Sequence, residues 1–440
     1  MYGLSRREIR FALVISSSHF TQHVYYRLLP PLIPVLAVAL EYPLWQLGLL
    51  ISVYQFGMGI VQAPLGVLSD QLDRRYLLPT GLAITGGAYI GFAFAPTLGD
   101  PLSALSLFGY TVEGGFIIMS LAMLLVGVGL AVVHPVGYPM ITDNVSDTNK
   151  GKVLGVFGAS SKLGDAAAPA VIAVLILALA WEQIILLFGV AGVLYGISLY
   201  VVLRSDDYET VPAGKRTEDG AGSSGDTVER RGYLYPMVAI YLFFISTHIS
   251  TRGLNTFLPA FLVAVYAYSF EIVGVQVGAE SVANMYFSGM LIAGAAMQLV
   301  LGGLTDAYDS RQLLLYCMAI ATGGMIALAL FDLSFLLLLV VVAMLGVGLY
   351  GVNPARDALV SDFSPPDYEG RSFGYIFTAG TLTVAPLPAV IGYVLETAGM
   401  RMGFLWLAVG PVLAAGCIGL LYSNRIYLES DVGACTDTSD

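Results

Sequence analysis

Gly66-Val-Leu-Ser-Asp70-Gln-Leu-Asp73-Arg74-Arg75 is a short polar turn between two long apolar runs, and the chain writes it twice. Gly302-Gly-Leu-Thr-Asp306-Ala-Tyr-Asp309-Ser-Arg311 repeats the glycine, both aspartates and an arginine at the same spacing, and Gln62 and Gln298 precede the two glycines at equal distance. The repetition extends outward. His23, Arg27 and Pro34 follow the pattern H-x3-R-x6-P, and so do His248, Arg252 and Pro259. Gly127-Val-Gly129-Leu, His134-Pro135, Thr142-Asp143 and Gly151-Lys152 are matched in order by Gly346-Val-Gly348-Leu, Asn353-Pro354, Ser361-Asp362 and Gly370-Arg371. Pro169 and Pro388 continue the same register. Matches in several segments, in one order, identify an internal duplication.

The duplicated segments are oil-soluble. Of 440 residues, 57% are hydrophobic and 12% charged; a water-soluble domain carries about twice that charge. Residues Tyr76 to Asn149, Gly253 to Ser310 and Gln312 to Ala355 contain neither Lys nor Arg. Each gap exceeds the roughly 20 apolar residues that one spanning helix needs. The pattern predicts an all-α integral membrane protein with spans at Phe11–Val38, Trp45–Leu68, Tyr76–Ala95, Phe116–Thr142, Lys152–Leu179, Glu182–Leu203, Leu234–Ala267, Ser281–Leu304, Arg311–Phe331, Phe335–Val360, Phe373–Leu395 and Met402–Tyr422. The first run exceeds a signal-peptide core and lacks a small-residue cleavage site, so it reads as a span.

Twelve spans place alternate loops on one side. Arg6, Arg7, Arg10, Arg74, Arg75, Lys150, Lys152, Arg204, Lys215, Arg216, Arg230, Arg231, Arg311, Arg371 and Arg425 all fall on one side, and Arg401 is the exception. Positive charge stays inside, so both termini are expected in the cytoplasm. The domain expectation is a six-helix bundle over 1–203, a flexible cytoplasmic linker over 204–232, a second bundle over 233–425 and an acidic tail over 426–440. The net charge of −11 argues against a nucleic-acid partner. Cys317, Cys417 and Cys435 are scattered, without metal spacing.

Charge at membrane depth is costly and usually functional. Arg27, Lys162, Asp165 and Arg252 are the candidates, each read as lying well inside its helix. His23 with Arg27, and His248 with Arg252, stand one helical turn apart on one face. Three cations against one acid leave a positive excess, which suits an anionic solute held by bidentate arginine; internal pairing of Lys162 or Arg27 with Asp165 is the alternative. His19, His23, His134 and His248 are all the histidines of the chain and all fall in spans, where they can bind protons. His134 can instead satisfy the carbonyl freed by Pro135. The histidines show no metal-ligand spacing, and no metal or cofactor is expected. Gln55 joins the candidates as a polar group in an apolar helix, Gly66 as a point of close helix contact, and Asp70 as an acceptor for a helix N-terminus.

With these motifs the chain resembles the major facilitator superfamily, whose signature loop matches Gly66, Asp70, Asp73, Arg74 and Arg75, with Gly302, Asp306, Asp309 and Arg311 as the second copy. Ser18-His19, Tyr54-Gln55 and His134-Pro135 resemble its fosmidomycin-resistance type of efflux protein. Gly155, Gly164 and Ala168-Pro169 follow the antiporter pattern G-x8-G-x3-G-P, with alanine for the third glycine. The resemblance implies two six-helix halves around a site at mid-membrane, with the first and seventh helices lining it. It implies a monomeric secondary transporter in the cytoplasmic membrane, not an enzyme. It would carry a small organic, anionic solute, as proton-coupled export or, alternatively, as ion-coupled uptake of a carboxylate nutrient. The chain has no phosphate cradle G-x4-G-K-[ST], which argues against ATP-driven pumping.

Overall fold

The computed structural model describes residues 3–107, 110–205, 207–212, 230–305, 307–363 and 380–422. Residues 206 and 213–229 of the expected linker, the acidic tail, Asp306, Gly370, Arg371 and Cys435 lie outside them. The helices are α1 (Arg6–Tyr26), α2 (Ile33–Ala39), α3 (Leu44–Ser69), α4 (Arg74–Ala93), α5 (Ala95–Gly99), α6 (Gly114–Leu130), α7 (Val133–Asn144), α8 (Asp147–Leu175), α9 (Trp181–Ser205), α10 (Arg230–Val265), α11 (Ala279–Leu304), α12 (Ser310–Leu330), α13 (Phe335–Tyr350), α14 (Asn353–Asp362), α15 (Leu387–Ala398), α16 (Met400–Leu407) and α17 (Val409–Leu420). Taken with their continuations, they are the rods of a twelve-helix, two-bundle membrane fold. Among the described residues nine spans are long and apolar enough to cross a bilayer. They leave Leu194, Ile197 and Val201 of α9 and Leu336 and Val340 of α13 exposed, an apolar surface that only lipid solvates cheaply.

Two short hairpins decorate the loops: β1 (Leu105–Leu107) with β2 (Tyr110–Val112), and β3 (Phe270–Ile272) with β4 (Val275–Val277), both antiparallel. Val273 and Gly274 join the second pair with φ of 50° and 77°, the left-handed pair of a two-residue hairpin turn.

The chain forms two compact units. The first contains residues 1–215, 255–288 and 385–400. Its core joins Phe11 and Ile15 of α1, Leu78 and Leu82 of α4, Val136 and Met140 of α7, and Phe157 of α8. At its basic end Glu8 accepts hydrogen bonds from the Ser5 and Ser146 amides and the Ser146 hydroxyl, tying α1 to α8. The Ser5 amide, then Ser146, pull its carboxyl down to about 2. The second unit contains residues 216–254, 289–384 and 401–440. Its core gathers Ile240 and Phe243 of α10, Leu314 and Met318 of α12, Ala355 of α14 and Ile418 of α17.

The duplication is visible in the crossings. A Cβ on Gly127 of α6 would meet the Tyr54 carbonyl of α3, and one on Gly346 of α13 would meet the Met290 carbonyl of α11, each at 2.1 Å. Gly129 lies against Gly81 and Thr85 of α4, and Gly348, less tightly, against Cys317 and Ala321 of α12. Each pair of glycines lets one helix touch two others. Gly66 and Gly302 do not serve this purpose, contrary to expectation: a Cβ at either meets nothing within 4 Å. They sit near the polar turns, away from the axes where the helices cross.

Several predicted single helices are interrupted, and prolines explain why. A proline removes the hydrogen bond to the carbonyl four residues back. Pro30 frees the Tyr26 carbonyl, which accepts from the Tyr54 hydroxyl at 3.3 Å. Pro354 frees that of Tyr350, which accepts from the Gln298 amide at 2.7 Å. Pro411 frees that of Leu407, which accepts from the Ser250 hydroxyl at 2.6 Å. Neighbouring helices thus re-satisfy each orphan, as a lipid environment demands.

Candidate functional site

Arg27 is not well inside a helix. α1 ends at Tyr26, Arg27 is its C-cap, and a 3-10 turn over Pro30–Leu32 leads into α2. The interruption leaves the guanidinium buried at a helix end. Its Nε donates to Asp165 Oδ1 of α8 at 2.8 Å, and its plane lies 5.2 Å from the Tyr26 ring. His23, one turn earlier in α1, places Nδ1 3.1 Å from the same oxygen. Asp165 is itself buried. Lys162, half-buried, precedes Asp165 by one turn of α8. The expected intramembrane acid therefore holds two of the expected basic groups at once, and the internal Arg27–Asp165 pairing is present.

His19 sits one turn before His23, 4% exposed. Its ring stacks on Phe157 at 4.0 Å, and Nδ1 lies 2.7 Å from the Phe157 carbonyl. His134, in the first turn of α7, stands with its ring centroid 5.0 Å from that of His19. It does not bind the carbonyl freed by Pro135; its buried Nδ1 has no hydrogen-bond partner. Gln55 is buried in α3 with its Oε1 unpartnered. Tyr25 and Tyr54 belong to the core: Tyr25 donates to the Phe188 carbonyl at 2.6 Å, and Tyr89 donates to the Tyr25 carbonyl at 2.9 Å.

In the second unit His248 and Arg252 lie on α10, which runs unbroken past both. His248 places Nδ1 2.7 Å from the Phe244 carbonyl one turn back and stacks on the Phe244 ring at 4.0 Å. Arg252 is buried. Arg356 of α14, which sequence reasoning missed, lies 5.8 Å from that same Phe244 ring and pairs with Asp357 at 2.7 Å. Its position two residues after Pro354, in the segment that mirrors His134-Pro135, was the available signal.

The signature turns repeat in three dimensions. Asp73 caps α4 by accepting from the Arg75 amide at 2.9 Å, and Asp309 caps α12 by accepting from the Arg311 amide at 2.8 Å. The Arg311 side chain, bonded to Asp309, holds that carboxyl below its usual range. Arg311 also reaches the Leu421 carbonyl and the Tyr422 ring. Arg74 is buried: Nη1 donates to Asp143 at 2.5 Å and Nε to the Ser69 carbonyl at 3.1 Å. Asp143, also missed, follows Thr142 in the repeated segment. Asp70 does not act as the expected acceptor for a neighbouring helix N-terminus in this structure. It ends α3 exposed, and the capping falls to Asp73.

A duplicated twelve-helix membrane fold with buried basic residues in each copy defines a class of solute-carrier architecture. The chain belongs to the Major Facilitator Superfamily, whose family model matches residues 15–292 and 276–430. A probable L-galactonate transporter of Escherichia coli (strain K12) is 27% identical over 178 residues, covering 40% of this chain and 35% of that protein. The chain thus spans about a third of the length of the curated relatives it matches. Among solved structures, a bacterial homolog of the human lysosomal transporter Spinster, inward-facing and occupied, superposes with a TM-score of 0.75 at 15% identity, covering 97% of this chain and 99% of that one. A D-xylose-proton symporter superposes at 0.73 with 12% identity, covering 95% and 98%.

Proposed function

We propose that the protein is a secondary active transporter for a small organic anion of the carboxylate class, working by alternating access and driven by an ion gradient. The observation that carries this reading is Asp165, where one carboxylate oxygen is shared by Arg27 and His23 while Lys162 stands a turn away. Two fixed cations and a histidine around one acid suit an incoming carboxylate, which offers the planar acceptor that arginine binds best. The second copy carries its own basic residues, buried Arg252 and, on α14, Arg356. The likeness to a probable L-galactonate transporter supports a carboxylate. The two sequence copies act as the moving halves, and the signature turns at residues 66–75 and 302–311 anchor their basic side.

The reading extends to a monomer in the cytoplasmic membrane with both termini inside. Export against proton entry follows the resemblance to fosmidomycin-resistance efflux proteins; ion-coupled uptake of a carboxylate is the second reading. Purified protein in liposomes, given a labelled sugar-acid anion with and without a pH gradient, separates them. Export predicts exchange against an opposing proton gradient; uptake predicts accumulation with the proton. Equal flux of the anion and its uncharged analogue would end the anion reading. So would wild-type flux in an Arg27→Gln/Arg252→Gln double variant that inserts normally.

A further inference from the structure

His19, His23 and His134 come from two different helices, yet one ring nitrogen of each lies within 4.8 Å of those of the other two. From the chemistry of this cluster we propose a binding site for a divalent transition metal of the zinc class, with the three imidazoles as its ligands.

The argument rests on which nitrogens are already used. The Phe157 carbonyl can only accept, so the His19 nitrogen 2.7 Å away, Nδ1, carries the proton. The lone pair of His19 is then on Nε2, which is buried and has no hydrogen-bond partner. Asp165, ion-paired with Arg27, is likewise an acceptor, so His23 donates from Nδ1 and keeps its lone pair on Nε2. A carbonyl behind one imidazole and a carboxylate behind another is the support that metal-binding histidines commonly have, because it fixes the tautomer and the ring plane. His134 presents a third buried nitrogen, Nδ1, without a partner.

Left without a ligand, two buried and unpartnered ring nitrogens in one cluster would be a standing desolvation cost. A metal removes it by using the lone pairs directly. Zinc binds imidazole at about 2.0–2.1 Å, which sets ligand nitrogens in a tetrahedral site about 3.4 Å apart. His19 is anchored between Phe157 and the core. His23 and His134 are only half-buried, and binding would draw their rings toward His19. Three neutral nitrogens leave a fourth position open, the pattern of an exchangeable rather than a closed structural site. The buried charge that remains is positive, so the fourth ligand would be water or an anionic oxygen.

Because the site is assigned from its own ligands and not from transport, its test uses binding alone. Detergent-purified full-length protein, stripped with chelator and dialysed, is titrated with Co²⁺ and followed by visible d–d absorption. It is then titrated with Zn²⁺ against a fluorescent competitor. Wild type is expected to take up one equivalent with histidine-type cobalt bands. His248→Gln, which changes the histidine outside the cluster, is expected to match it. His19→Gln and His134→Gln are each expected to weaken binding at least tenfold, and the double variant to abolish it. The proposal is overturned if stripped wild type binds no stoichiometric metal at micromolar concentration. It is equally overturned if the double variant, eluting as the same monodisperse species, binds as wild type does. Should His19→Gln misfold, His134→Gln and the wild-type spectrum still decide.

Discussion

The first and seventh helices begin as copies and end as different devices. Both carry H-x3-R-x6-P. In the first copy the helix stops at Tyr26, and His23 and Arg27 turn together onto Asp165. In the second, α10 runs on to Val265, and His248 turns back to a carbonyl of its own helix. Two sequence differences account for this. Pro30 and Pro31 have no counterparts before Pro259, where the matching stretch reads Asn255-Thr256, so only the first helix must break. Asp165 lies four residues before Pro169, whereas the position four before Pro388 is Val384, so the second copy lacks this acid. Duplication preserved the helix crossings while proline and a single carboxylate remade one of the two basic sites.

The sharpest way to break this contrast is to remove the arginines separately. Arg27→Gln leaves Asp165 buried beside His23 without its guanidinium, and losing one partner of a buried pair costs about 3–5 kcal/mol. Arg252→Gln tests the other copy, where Val384 stands in the place of Asp165, and is expected to lower the melting temperature in detergent less. Adding Asp165→Asn to Arg27→Gln should restore most of the melting temperature without restoring anion flux. If the two single arginine variants melt alike, the asymmetry claimed for the two copies is wrong.

Much of this was legible in the chain. The duplication and the twelve spans follow from apolar run lengths and spacing, and the capping aspartates Asp73 and Asp309 stand at matching places. Asp165 was legible because an acid at that depth needs a partner. The gathering of His134 with His19 and His23 was not, because it depends on the packing of α7 beside α1, which no spacing along the chain encodes. The break at Arg27 was written in Pro30-Pro31 but was masked by an apolar run that continues through it. Gly66 was misjudged for a related reason: a glycine in a repeated motif does not by itself say where two backbones touch, whereas Gly127 and Gly346 lie where they do.

The crossings are where the copies should behave alike. Gly127→Ala and Gly346→Ala each drive a methyl group into a facing backbone carbonyl, which cannot move aside as a side chain tip can. Overpacking of this kind costs about 1–3 kcal/mol. Gly66→Ala and Gly302→Ala meet open space and should stay within about 0.5 kcal/mol of wild type. Melting curves for the four variants test this. A large loss at one crossing and none at the other would mean that the copies diverged in packing as well as in charge.

The smallest effect sharpens the contrast at the broken helix itself. The Tyr54 hydroxyl donates to the Tyr26 carbonyl that Pro30 has freed. Tyr54→Phe keeps the ring, which packs edge-on against Tyr26 at 5.4 Å, and removes the hydroxyl that makes this hydrogen bond. The carbonyl then loses that donor in a part-buried setting, a loss of about 0.5–1.5 kcal/mol. In a chain that also carries Pro30→Ala and Pro31→Ala, the helix can regain its own bond to that carbonyl, so the same Tyr54→Phe change should cost almost nothing. The difference between the two measurements isolates what the hydroxyl does for the break. If Tyr54→Phe costs the same with and without the prolines, the tyrosine is core packing, and something else holds α1 open at Arg27.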